Sequence, residues 1–187
     1  MKAHSDKRSA LLRAALELFA ENGFTGSSTA LIAKRAGVAS GTLFFYFTSK
    51  EQLIHELFRE VRAKIDNEVL EEFPAEAPVR ERFLTNFSKL LRYFLENPQE
   101  FKFIEQYHFS PFNEGECCSA NDNKCLSNLL VEAREQGLFK NAPLQVLKAL
   151  AFGPIASLAK EHVSRALPID DEMIRVTIAA CWDGLKR

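Results

Sequence analysis

The 187-residue sequence predicts an all-α protein, with an N-terminal three-helix head and a larger C-terminal helical bundle, about nine helices in all. Three observations carry this. Apolar residues recur at three- and four-residue spacing along the chain, and no stretch shows the alternation of a strand. Proline and glycine punctuate the chain where those patterns stop. Between Ser28 and Lys50, two short helical patterns flank Ala36-Gly37-Val38, the arrangement of a helix-turn-helix.

In the head, Lys2–Arg8 leads into an amphipathic helix that includes Ala14–Phe19 and closes on Asn22-Gly23-Phe24. The second helix carries Ile32, Ala33 and Ala36 on one stripe, and Leu43 with Phe47 continues it on the third. Gly37 supplies the backbone conformation of the turn, and Val38 fills the angle between the helices. Ser40, Gly41, Thr42, Phe45 and Tyr46 are then left outward. Aromatics gathered on a short exposed helix imply that something docks there.

The next helix is long. Leu53, Leu57, Val61, Ile65 and Val69 recur every fourth residue and draw it from about Ser49 to Glu72, before Phe73-Pro74. Thr48 and Glu51 have the spacing of a capping box at its start. Phe83, Phe87, Leu91 and Phe94 mark a helix stopped by Asn97-Pro98, and Phe101, Ile104, Tyr107 and His108 a short one broken at Ser110-Pro111. Leu126, Leu129, Leu130 and Ala133 mark a helix ending at Gly137, a glycine placed to close it. Two more run from Pro143 to about Ala166, with a kink expected at Gly153-Pro154, and from Asp170 to about Leu185. The expected division is a head of residues 1–50, the linking helix starting at 49, and a body of residues 51–187.

Charge is unevenly spread. The head holds seven bases (Lys2, Lys7, Arg8, Arg13, Lys34, Arg35, Lys50) against three acids (Asp6, Glu17, Glu21), while the remainder is acidic and the whole chain nets −1. A polyanion is attracted to the head and kept off the body. With the helix-turn-helix on the same segment, double-stranded DNA is the expected partner.

The head resembles that of the tetracycline-repressor (TetR/AcrR) family of bacterial transcription regulators. Three runs carry the likeness over roughly residues 8 to 54: Ala14–Phe19 closing on Asn22-Gly23-Phe24, then Ile32–Val38, then Gly41–Phe47 leading to Ser49-Lys50-Glu51. The resemblance implies a homodimer whose C-terminal part binds a small molecule and thereby releases DNA; an inverted-repeat operator is the expected site. It implies that Ser28 caps the second helix and that Thr29 offers a hydroxyl to phosphate. It places Ser40, Thr42 and Phe45 where bases are read, with Gly41 allowing close approach. It gives Tyr46 and Lys50 the DNA backbone, Lys50 assisted by the amides opening the next helix. Two positions depart from the family pattern. Phe44 stands where tyrosine is usual, and Ala39 where a serine often caps the recognition helix.

For the effector, eight of the sixteen phenylalanines lie between Phe73 and Phe112. A bundle lined by Phe87, Leu91, Phe94, Phe103 and Tyr107, with His108 and Gln106 as polar candidates, suits an apolar or aromatic molecule. Small residues at Ala149, Gly153, Ala156 and Ala159 let helices approach closely, and Phe152, Ile155, Ala159, Ile178 and Trp182 are the expected dimer contacts. An alternative is a thiol-redox or metal-responsive regulator using Cys117, Cys118 and Cys125, with His108 and Asp122 nearby in sequence. The spacing fits no structural zinc pattern.

Enzyme chemistry is not expected, nor a cofactor or resident metal. His55-Glu56 begins like a zinc-protease helix, but Arg59 stands where the second histidine is required. Gly37–Gly41 misplaces its serine for a nucleophile elbow. No apolar run of membrane length and no signal-like leader occur, so a cytoplasmic protein with no membrane partner is expected.

Overall fold

A computed structural model describes residues 2–70, 73–74, 77–113 and 125–187. Among these residues there are nine α-helices and no β-strand: α1 (Lys2–Asn22), α2 (Thr29–Arg35), α3 (Ser40–Tyr46), α4 (Lys50–Val69), α5 (Val79–Glu96), α6 (Pro98–His108), α7 (Leu126–Glu135), α8 (Leu144–Arg165) and α9 (Asp171–Leu185). No helix among the described residues is long and apolar enough to cross a membrane. Cys117, Cys118 and Asp122 lie outside the described residues.

The chain folds as two compact units, Met1–Ala63 with Pro98–Gly115, and Lys64–Asn97 with Glu116–Arg187. This differs from a division at residue 50. The first fourteen residues of α4 stay with the head, and α6 joins them because its apolar stripe packs on α1. In this first unit Phe103 stacks on Phe19 at 6.2 Å and meets Phe24 edge-on at 5.9 Å. Tyr107 stacks on Phe58 of α4 at 3.8 Å, and its hydroxyl lies 3.2 Å from His55 Nδ1. Gln106 Nε2 donates at 2.9 Å to the Phe19 carbonyl at the end of α1, which also accepts the Gly23 amide at 3.0 Å. Ser27, fully buried, donates to the carbonyls of Leu18 and Gly23 and ties the α1–α2 loop down.

The start of α4 is capped one residue later than the Thr48/Glu51 spacing implies. Ser49 Oγ accepts from the Gln52 amide at 3.1 Å, and Gln52 Oε1 reaches back to Thr48. The Glu51 carboxyl titrates below the usual carboxylate range, held first by its own backbone amide and second by Ser49. Amides expected to be open to a DNA phosphate therefore already have acceptors.

In the second unit, α5 packs against α7, α8 and α9. Its core is aromatic: Phe83 stacks on Phe87 at 4.1 Å and meets Trp182 at 5.4 Å, while Phe139 lies 5.0 Å from Trp182. Gly137, at φ +71°, closes α7, and Lys140 then donates its backbone N–H to the Leu185 carbonyl at 2.9 Å. That bond pins the loop to the end of α9. Pro154 lies inside α8, which continues as helix through it to Arg165.

Cys181 is buried and is the free cysteine among the described residues. Desolvation pushes its thiol up to about 11. Only the thiolate attacks alkylating agents, so the raised value keeps Cys181 inert over the whole neutral range. At pH 8, iodoacetamide is expected to label Cys181 in denaturant and not in the native protein, as read by peptide mass; native labelling at the denatured rate would contradict the burial.

Candidate nucleic-acid interface

Helix α2 begins at Ser28, whose Oγ accepts the Leu31 amide at 3.2 Å, the expected cap. It ends in a Schellman motif. The Gly37 amide donates to the Lys34 carbonyl at 3.1 Å and Val38 to Ala33 at 3.0 Å, with Gly37 at φ +70°. A Cβ at Gly37 would meet nothing within 4 Å, so the positive φ alone makes the position favour glycine. This turn sets α3 against α2, with Ile32, Ala33 and Leu43 fully buried and Phe47 nearly so.

Helix α3 has no side-chain cap. Ala39 offers none, and the Thr42 amide bonds the Ala39 carbonyl at 2.8 Å. Of the residues expected to face DNA, Ser28, Ser40, Gly41 and Phe45 are exposed, while Thr29, Thr42 and Tyr46 are half-buried. Phe45 is 72% exposed and Phe44 53%, large values for phenylalanine. The Phe45 ring stands edge-on to Tyr46 at 5.2 Å, and Tyr46 leans on the buried Phe47 at 6.4 Å. Around Gly41 a Cβ would meet nothing within 4 Å, leaving bare backbone on the same face.

The basic charge of the head is less available than its sequence count. Lys50 is half-buried, and its Nζ donates to the Phe24 carbonyl, anchoring α4 to the α1–α2 loop. Arg35 pairs with Glu17 and Glu21, each at 3.2 Å. Arg8 pairs with Glu56 at 3.0 Å and with Glu60, and its guanidinium lies 5.7 Å from the Phe47 ring centre. Lys7, Arg13 and Lys34 are exposed. Sequence could not reveal these pairings, because the partners are 14 to 52 residues away.

The residues read as one effector site fall in two units. Phe87 and Leu91 are fully buried in the second unit, with Phe94 buried beside them in sequence, whereas Phe103 and Tyr107 are buried in the first. His108 is exposed, and Gln106 is engaged with Phe19. Sequence reasoning missed Asn86 of α5 and Ser127 of α7, two polar residues buried in the second unit. A polar residue falling on the apolar stripe of each helix was the available signal.

The expected dimer contacts sit largely within the protomer. Ile155, Ala159, Ile178 and Trp182 are buried within their own unit, and Phe152 is half-buried against Phe87 at 5.2 Å. The exposed large apolar residues of the two helices are Val146, Leu150 and Val176.

Cys125 is buried and disulfide-bonded. Among the described residues, no group of three or more His, Cys, Asp or Glu is placed to hold a metal ion.

Residues 11–57 match the family described as bacterial regulatory proteins, tetR family, and residues 78–186 match the tetracyclin repressor-like C-terminal domain. The chain is 36% identical over 89 residues to a fatty acid metabolism regulator protein of Bacillus subtilis, covering 48% of this chain and 46% of that protein. An uncharacterized HTH-type transcriptional regulator of Haemophilus influenzae is 23% identical over 187 residues, covering 100% of this chain and 99% of that one. A TetR family transcription regulator from Marinobacter aquaeolei has a TM-score of 0.87 at 28% identity, covering 99% of this chain and 98% of that one. A similar protein from a Shewanella species reaches 0.81 at 26% identity, covering 97% and 98%. These relatives are regulators rather than enzymes, and the matches span both halves of the sequence. With its helix-turn-helix formed and its α3 ridge exposed, the chain belongs to the tetR family of bacterial regulatory proteins and is a DNA-binding transcriptional regulator.

Proposed function

We propose that the protein is a homodimeric, cytoplasmic repressor that leaves an inverted-repeat operator when an apolar or aromatic small molecule binds its second unit. The observation that carries this reading is the recognition helix, locked by Leu43 and Phe47 beneath while Ser40, Gly41, Thr42 and Phe45 remain outward. Phosphate contacts supply most of the affinity, from exposed bases such as Lys34, from Thr29 and Tyr46, and from whatever of Lys50 its own carbonyl partner leaves available. Ser40, Thr42 and Phe45 set sequence preference.

The dimer is supported by the apolar exposure of Val146, Leu150 and Val176. Two recognition helices about 34 Å apart read successive major grooves, so a pair is needed for a palindromic site. The effector reading is supported by the aromatic core around α5, in the unit where the polar residues Asn86 and Ser127 are buried. A few polar groups in apolar walls are what small-molecule sites use. Release requires that the molecule bind the DNA-free arrangement more tightly than the DNA-bound one, with α4 as the moving arm. Fatty acids of graded length are the first compounds to try, since one relative is named for fatty acid metabolism.

Selection of bound sites from random duplexes tests the reading. An inverted-repeat consensus whose affinity falls steeply with salt is expected, and Thr42→Ala should relax discrimination among sites more than it lowers affinity for nonspecific DNA. A consensus with no symmetry would remove the dimeric repressor. The disulfide at Cys125 favours a second reading, a thiol-redox-responsive regulator. Cys125→Ser separates the two: an operator response to reductant in the wild type that is lost in this variant supports it, and DNA release unaffected by reductant dismisses it.

A further inference from the structure

We infer that the recognition helix identifies its operator through the C5-methyl groups of thymine, read by the exposed rings of Phe45 and Phe44. The inference rests on α3 entering the major groove, as in the preceding reading, and adds which base chemistry it recognises there.

Helix α3 lacks the side chains that most often read bases. In the major groove, guanine is recognised by Arg or Lys, adenine by Asn or Gln, and cytosine by an acid; thymine alone presents a methyl group to an apolar side chain. From Ser40 to Tyr46 the helix reads Ser-Gly-Thr-Leu-Phe-Phe-Tyr, without a basic, acidic or amide side chain. Leu43 is buried, and the hydroxyls of Ser40 and Thr42 serve donors and acceptors alike. Arg35, at the end of α2, is committed to Glu17 and Glu21. Beside the Thr42 methyl, which meets the same thymine group, the phenylalanine rings are therefore the largest groups on this ridge that distinguish one base from the other three.

The second observation is how Phe45 is held. It is 72% exposed, yet its ring meets Tyr46 edge-on at 5.2 Å, and Tyr46 in turn leans on Phe47, 1% exposed. An exposed ring braced in this way loses little rotamer freedom when a partner covers it. Phe44 adds a second ring, 53% exposed, and has no hydroxyl to direct toward phosphate. Bare backbone at Gly41 leaves room for the duplex to come close enough for a methyl to reach the rings.

The test uses the full chain and two random duplex pools, one made with thymidine and one with deoxyuridine, which pairs identically but lacks the methyl. The duplex enriched from the thymidine pool is then remade with deoxyuridine at one thymine at a time. At one or two thymines in each half-site, removing the methyl should weaken binding about fourfold, the effect of one buried methyl-sized group. Phe45→Ala or Phe44→Ala should abolish the difference between thymine and uracil at those positions. Both side chains are exposed, so the variants should melt at the wild-type temperature. If every single replacement stays within about twofold, or if the uracil penalty persists in both variants, methyl readout is overturned while operator binding stands. Enrichment of no duplex from either pool at low salt would overturn operator recognition as well.

Discussion

Replacing Leu150 and Val176 together by glutamate is expected to yield a monomer and to weaken operator binding by roughly 10²–10⁴-fold, the gain that joining two binding modules gives over one. The two side chains are 38% and 52% exposed, so charge at these positions costs the isolated protomer little. In a dimer they would be covered, and a buried unpaired carboxylate is strongly unfavourable. Val146, at 45% exposure, lies one turn before Leu150 on α8, and a Cβ at Gly153 would meet nothing within 4 Å, which leaves open space on the protomer's own side. Sedimentation of the variant beside the wild type reads the oligomeric state, and titration of the selected duplex reads the affinity. Changing Ile155 or Ile178 instead should lower stability without this selective effect, because both are buried in the protomer. A double-glutamate variant that stayed dimeric and bound normally would move the interface elsewhere.

Truncating Phe83 to alanine should cost about 3–5 kcal/mol of stability, the range for deleting a large ring from a packed interior. Phe83 has no exposed surface, and it joins Phe87, Phe139 and Trp182 at 4.1, 6.0 and 5.4 Å. Removing it deprives three other rings of a partner at once, and the surrounding helices α5 and α9 can collapse only in part. Urea titration, followed by helical circular dichroism, measures the loss. Phe109→Ala is the control, since that ring is 87% exposed and should change stability by no more than about 0.5 kcal/mol. A Phe83 variant as stable as the control would mean that the aromatic cluster does not hold the second unit together.

The head could be read from sequence because its rules act over a few residues. Ser28 caps the amide three positions on, and Gly37 allows a Schellman turn closed by bonds three and five residues long. Leu43 and Phe47 follow helical spacing into the same core as Ile32. The cap of α4 falls one residue after the Thr48/Glu51 spacing because Thr48 and Ser49 are both competent caps, and only the chain path brings Ser49 Oγ to the Gln52 amide. The effector residues were harder. Phe94 and Phe103 are nine residues apart on helices joined at Asn97-Pro98, yet they belong to different units, and apolar spacing does not say which neighbour a stripe will meet.

By itself the sequence determined the helices, the helix-turn-helix and its exposed ridge, since periodicity, caps and glycine φ angles are local matters. Tertiary structure decided that α6 packs with the head and which side of α8 and α9 turns inward. It also decided that Arg8, Arg35 and Lys50 spend donors inside the protein. The physical reason is the same in each case. A helix with apolar residues on more than one face, or a long basic side chain with several possible acceptors, has competing partners of similar energy, and the choice depends on groups far away along the chain.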